Sequence, residues 1–445
     1  MEKKHPEIAV GIMSETTIEF SFSGRFKVPH IDWFFEGDLS ASPDGEMVRL
    51  ANSSIAEKEL LFIPEKYSDA AFELKNVTIG VNFHWEQQEN QQFKGALKLI
   101  VESGKLTAIN VLPIEDYLIS VISSEMSANS SLELLKAHAI ISRSWLIAQI
   151  DKQEKITTET SVYESSFVSD DEYIKWYDRE DHLNFHVCAD DHCQRYQGIT
   201  RAHNPNVVKA VNETSGVILS YKGNVCDARF SKCCGGVAEL FENCWEPVNH
   251  PYLTAVVDNP EFPKGFEADL TVEQNAAAWL NGSPDAFCNT DDEVVLKQVL
   301  NDYDWTAKDF YRWKVEYTNQ ELSDLILRRS GHDFGTILDL IPMERGTSAR
   351  LIRLKIRGSK KTLTVGKELE IRRWLSESHL YSSAFTIEKQ EEQDGVPGKF
   401  ILHGAGWGHG VGLCQIGAAV MGHKGYKYDE ILHHYFKNIT LESRY

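Results

Sequence analysis

Apolar and polar residues alternate in short runs at the start of the chain, as in Ile8-Val10-Ile12, Ile18-Phe20-Phe22 and Val77-Ile79-Val81. Alternation with a period of two marks strands that bury one face, so residues 1–95 are predicted to form a small β-rich domain. Within it, residues 86–92 are rich in Gln and Asn and read as a polar loop. At Pro113 the period changes. Tyr117, Leu118, Val121 and Ile122 recur at helical spacing, and Pro113 suits the helix entry. One turn beyond Val121 stands Glu125, which puts a carboxylate where the row Tyr117-Val121 calls for an apolar side chain. Ser127-Ala128-Asn129-Ser130-Ser131 ends this helix and supplies caps for a second one, which carries Leu132, Leu135, Ala139, Ile140 and Trp145 with Lys136 and Arg143 among them.

Residues 207–255 read as strands. Residues 260–333 read as an inserted, more helical segment holding Trp279, Trp305 and Trp313, and strands return over 351–371 with a turn at Gly358. Near the end, glycine occupies every second position from Gly404 to Gly412. In an extended segment this leaves one bare face and one presenting Ala405, Trp407, His409 and Val411. An isolated His is more often structural than catalytic, and the acidic residue and strand-turn-helix context of a dinucleotide fingerprint are missing. A helix over Leu413–Met421 follows, then another beginning near Asp429 with Ile431, Leu432, Tyr435 and Phe436 on one face. The whole is predicted to be α+β: a mixed, β-rich core with helices flanking a substrate cleft.

A carboxylate removed from water holds its proton more tightly, which suits a general acid near neutral pH. By pattern alone the commoner explanation of Glu125 is an ion pair with Lys136 or Arg143, since structural pairs are widespread.

His182, Cys188, His192 and Cys193 fall in an acidic stretch around 178–198. Two thiolates and two imidazoles form the donor set of a tetrahedral zinc site, although the spacing is not that of a zinc finger. His186 competes with His182 as a ligand, and a solvated loop with a chance cluster is the alternative. Cys226, Cys233, Cys234, Cys244, Cys288 and Cys414 complete the eight cysteines, and their pairing cannot be deduced from spacing.

With 46 basic against 66 acidic residues, the formal charge is -20, which disfavours nucleic acid and anionic lipid as partners. A mostly uncharged glycan is compatible with it. No stretch is long and apolar enough to span a bilayer, and no apolar signal region follows Met1-Glu2-Lys3-Lys4-His5-Pro6.

Two blocks carry a resemblance. Leu112-Pro113-Ile114-Glu115-Asp116-Tyr117-Leu118, Glu125-Met126 and Leu134 to Arg143 form the first, and Gly406 to Gln415 with Gly417-Ala418 and Tyr428 to Leu432 form the second. Together they resemble the signatures of the stage II sporulation protein D and LytB amidase-enhancer family of peptidoglycan-acting proteins. The chain departs from the pattern at His138, where Gln is usual, and at Cys233-Cys234, where Ser usually precedes Gly-Gly. The resemblance covers most of residues 96–445, patchily through the insertion. It implies a lytic transglycosylase in which Glu125 is the catalytic acid and then base. Arg143, Trp407, His409 and Gln415 are implied as substrate-binding residues. It also implies a zinc cluster just before a Tyr-x-Gly turn, here Tyr196-Gln197-Gly198, and favours His182 over His186, making a structural zinc the expected cofactor. Peptidoglycan glycan strands are the implied partner, at the cell envelope and after removal of a leader. A non-catalytic glycan-binding enhancer of a cell-wall amidase is the alternative, and a zinc amidase would need an open metal position.

Overall fold

A computed structural model describes residues 5–80, 86–127, 129–156, 165–176, 182–190, 193–200, 204–300 and 310–445. The fold is α+β, with several sheets and nine α-helices among the described residues. These are α1 (Ile114–Glu125), α2 (Leu132–Ile156), α3 (Pro205–Glu213), α4 (Glu273–Asn281), α5 (Glu293–Val299), α6 (Asn319–Ser330), α7 (Glu368–Trp374), α8 (Gln415–His423) and α9 (Tyr428–Tyr435).

The alternating runs at the start form an 11-stranded sheet. Its side chains obey the period of two: Ile8, Val10, Ile18 and Phe20 face the core while their neighbours do not. The sheet continues past residue 95, because Ala96–Glu102 and Lys105–Pro113 form a hairpin whose second strand pairs antiparallel with Glu7–Glu15. The glutamine-rich segment is a strand, not a loop: Gln87–Phe93 pairs with Ala71–Ile79 at the sheet's margin, where Gln87, Gln88, Asn90 and Gln92 remain in water and Gln91 is buried. One apolar core joins this sheet to the helices that follow, through a stack of Phe93, Tyr196 and Tyr117.

Two further expectations are corrected. Residues 205–213 are helical, because Asn204 caps the N–H of Asn206 and Pro205 occupies the first turn. The strand pair Leu351–Gly358 and Thr362–Gly366 is followed by α7, so Ile371 is a helical core residue. The insertion contributes α4, α5, the strand Arg312–Thr318 and α6. Trp279 and Trp313 are buried there, and Trp305 lies outside the described residues. Arg312–Thr318 pairs with Lys399–Ala405, which leads into the glycine run.

The long helix α2 occupies the centre. It packs against α1, α3, α8 and α9, and the polar side chains of His138, Ser142, Arg143 and Ser144 are wholly buried on it. Buried polar groups must find partners inside the protein. Those partners come from both ends of the chain and set the geometry of the site.

Candidate functional site

Glu125 is the last residue of α1. The row Tyr117-Val121 beneath it is fully buried, but the helix ends where the row reaches the surface, so Glu125 is half-buried rather than enclosed. Neither expected cation reaches it. Arg143 donates to both oxygens of Glu115 at 3.0 and 2.6 Å and to the Val217 carbonyl at 3.0 Å. Lys136 sits 2.7 Å from Glu213 and 3.8 Å from Glu133. Glu125 itself makes no ion pair or hydrogen bond among the described residues. Arg143 is wholly buried, so its guanidinium fixes α2 to α1 and does not reach a surface where a sugar could bind.

The glycine run is not an extended strand. Lys399–Ala405 ends at Ala405, and Gly406, Gly408, Gly410 and Gly412 all adopt left-handed φ of 74°, 92°, 78° and 74°. Alternating handedness curls the backbone, and only glycine adopts this conformation without strain. Space is decisive as well: a Cβ on Gly410 would lie 2.4 Å from the Arg350 guanidinium carbon. Arg350 fills the curl, donating to the carbonyls of Gly408 at 3.1 Å and Cys234 at 3.0 Å. The bare face therefore accommodates the protein's own arginine.

Trp407 emerges half-buried from this curl, stacked on Phe310 with centroids 4.9 Å apart and edge-on to Tyr381 at 4.9 Å. His409 is half-buried between elements: its Nδ1 accepts from the Val411 N–H at 3.0 Å, and its ring packs against Trp245. Burial, then the charges of Arg229, Arg350 and Arg372, push its pKa well below the ordinary histidine value, so the ring is neutral at pH 7. Gln415 is buried at the start of α8, its Nε2 3.2 Å from Nε2 of His138 on α2. Of the four residues implied as substrate-binding, Trp407 and His409 are partly accessible, whereas Arg143 and Gln415 lie in the interior.

Hydrogen bonds link the end of α1 to Trp407. The Ser127 N–H, two residues past Glu125, donates to the Gln298 carbonyl at 3.0 Å. The next carbonyl, Val299, accepts from Lys232 Nζ at 2.8 Å. Cys233, beside Lys232, exchanges two backbone hydrogen bonds with Trp407, at 2.8 and 3.1 Å. The end of α5 thus bridges the two sequence blocks.

The metal loop packs beside Tyr117 of α1, whose hydroxyl donates to Gln194 Oε1 and whose ring stacks on Tyr196. His182 Nε2 is 3.5 Å from Cys193 Sγ, and the donor atoms of His182, Cys188 and Cys193 all fall within 4.8 Å of one another. His192 lies outside the described residues. His186 Nδ1 accepts from the Ala9 N–H at 3.0 Å, on the first strand of the sheet. One imidazole and two thiolates at this separation fit three positions of a tetrahedral ion. Val187-Cys188 pairs in parallel with Val10-Gly11, and Gly11 leaves room for Phe185, whose ring stacks on His182 at 4.5 Å. A cavity of about 360 Å³ opens here, lined by His182, Phe185, Cys188 and Tyr196 among others.

A family model described as stage II sporulation protein matches residues 102–221, which hold α1, α2 and the metal loop. By this match and the relatives below, the chain resembles the SpoIID and amidase-enhancer family. A second family model, a domain of unknown function (DUF8618), matches residues 239–412, from before the insertion to the end of the glycine run. The chain is 25% identical to the amidase enhancer of Bacillus subtilis (strain 168) over 335 residues, 73% of this chain but only 40% of that relative. It is 22% identical to the stage II sporulation protein D of Bacillus amyloliquefaciens over 75% of each chain. An uncharacterized protein of Brachyspira hyodysenteriae is 26% identical over 79% of this chain and 72% of its own length.

In this SpoIID-like chain, three supporting residues escape a reading of the sequence. Arg350 is one. Glu239 is another: wholly buried, it accepts from the Leu240, Thr347 and Ser348 N–H groups and from three side chains, holding the loop before Arg350 in place. Lys232 is the third. Each acts on backbone carbonyls or a distant loop, so no local spacing announces it.

Proposed function

We propose that this protein is a peptidoglycan lytic transglycosylase in which Glu125 serves first as acid and then as base. One observation carries the reading. Among the described residues, Glu125 is a half-buried carboxylate at a helix end with no cation or donor engaging its side chain, while the two basic residues expected to pair with it are held by other carboxylates. A structural glutamate would be expected to have such a partner.

Glu125 in its acid form donates its proton to the oxygen joining N-acetylmuramic acid to N-acetylglucosamine, and the bond from C1 to that oxygen breaks. The 6-hydroxyl of the muramic acid then forms a new bond to C1 and returns its proton to Glu125. No water is consumed, and one carboxyl group suffices where hydrolases commonly need two. Trp407, in its aromatic corner with Phe310 and Tyr381, offers a ring face for a sugar. His409, held neutral, contributes shape rather than charge. Arg143 and Gln415 act from the interior by fixing α1, α2 and α8.

His182, Cys188 and Cys193, with His192 as the candidate fourth donor, would hold a zinc ion. The ion would fasten the loop to the first strand, and no step of the reaction passes through it. The substrate places the protein at the cell envelope, and no described helix is long and apolar enough to cross a membrane.

The test is digestion of purified glycan by wild type and Glu125→Gln, read by mass spectrometry for 1,6-anhydro ends. The variant is expected to lose at least about 100-fold in rate, the scale of a positioned proton donor. Equal product from both proteins would remove Glu125 from the chemistry. The name of the amidase-enhancer relative favours a second reading, in which the protein binds glycan and stimulates a partner amidase. Intact glycan together with faster amidase turnover would select that reading.

A further inference from the structure

We propose that the core beneath the glycine run holds a second metal ion, a zinc or similar thiolate-seeking dication, bound by Cys234, Cys288, Cys414 and Asp258. All four residues are buried, with ligand atoms within 4.8 Å of one another. They come from three separate parts of the chain: the loop before α4 with its Gly-Gly turn, the turn between α4 and α5, and the residue before α8. No run of sequence marks the set.

Three features separate it from a chance cluster of thiols. The first is spacing. Cys234 Sγ and Cys288 Sγ lie 3.7 Å apart, and two thiolates on one tetrahedral zinc, each about 2.3 Å from the ion, stand about 3.8 Å apart. The second is the carboxylate. Asp258 is wholly buried and has no ion pair with Lys, Arg or His among the described residues. Buried charges are paired or coordinate metals, and no cation among the described residues fills that role here. The third is the surroundings. Backbone N–H groups point at the sulfurs, Cys234 N–H to Cys414 Sγ at 3.2 Å and Gly236 N–H to Cys234 Sγ at 3.4 Å. Asp258 is itself oriented by the Cys288 N–H at 2.8 Å and the Tyr435 hydroxyl at 2.6 Å. Outer contacts of this kind orient ligands and tune a site. Cys233, the neighbour of Cys234, is buried as well but is not one of the four clustered ligands.

With four protein ligands the ion would be structural. It would clamp the turn holding Cys288 to both sides of the glycine run, since Cys233 pairs with Trp407 and Cys414 follows Gly412. The catalytic reading of Glu125 plays no part in this assignment.

The test begins with Cys188→Ser/Cys193→Ser, which removes the thiolates of the surface loop. This variant is expected to retain one equivalent of zinc that resists chelator while folded and is released on unfolding. Cobalt in its place should give the charge-transfer absorption of three thiolates, and Cys234→Ser should lower it by about a third. Cys226→Ser, outside the cluster, should leave it unchanged. If the double variant does not fold, wild-type protein treated with chelator while native should still release one equivalent when denatured. Metal-free folded protein after exposure to zinc, or a Cys234–Cys288 disulfide in the unreduced protein, would overturn the proposal.

Discussion

Gln415 Nε2 lies 3.2 Å from His138 Nε2 across 277 residues of chain, joining the glycine-run block to the helix that follows Glu125. With the Gln415 amide donating, the imidazole carries its proton on Nδ1, 3.3 Å from Ser142 Oγ. All three residues are buried.

His138→Leu leaves the Gln415 amide without its partner, a cost of about 1–3 kcal/mol. His138→Gln offers an amide in its place and is expected to cost less than about 1 kcal/mol. Urea unfolding of the two variants checks this. Equal losses would mean that the hydrogen bond between the blocks is immaterial and that only ring packing counts.

The same residue makes the protein acid-sensitive. Burial, then the charge of Lys232, push the pKa of His138 down to about 3. The unfolded chain takes up a proton near pH 6.5, so between roughly pH 6.5 and 3 it binds one that the folded chain does not. Stability therefore falls as pH falls, by at most about 1.4 kcal/mol per pH unit for this group. Unfolding curves at about pH 7 and about pH 5 should show a smaller drop for His138→Gln than for wild type. Parallel drops would mean that His138 protonates in the fold.

Glu115 and Arg143 form the buried pair that holds α1 against α2. Burial raises the Glu115 pKa, but the Arg143 hydrogen bonds and charge, the Tyr445 hydroxyl and the Gly216 N–H outweigh it and leave it below the usual glutamate value. Its contribution is present above the ordinary carboxylate value and is lost as pH falls through the lowered one. Arg143→Met leaves a buried carboxylate uncompensated and is expected to cost about 3–5 kcal/mol, and the double variant with Glu115→Leu to cost less. A double variant as unstable as the single one would show that packing, and not charge, dominates.

The surface metal loop predicts a structural response. Chelation, or Cys193→Ser, should lower the melting temperature while leaving most secondary structure intact, because Val187-Cys188 is a short edge addition to a large sheet. Retained stability with abolished glycan cleavage would instead make the ion catalytic.

Local order was legible in the sequence wherever a short period met a cap. The N-terminal strands, α1 from Pro113, the start of α2 and the two last helices follow directly from alternation, helical rows and helix signals. Glu125 was legible as the odd member of an apolar row. The sequence could not say that the row breaks the surface there, because solvent access depends on where the helix ends against its neighbours. The glycines were legible as a run, but their left-handed curl was not, because it is dictated by Arg350 entering from 60 residues upstream of Gly410. Arg143 and Gln415 were legible by type. Only tertiary packing decided that they face the interior, where buried polar groups must be satisfied by whatever distant partner the fold supplies. The gathering of Cys234, Asp258, Cys288 and Cys414 shows the same limit: spacing along the chain reports neighbours within a helix or strand, whereas coordination depends on distances that only the folded core sets.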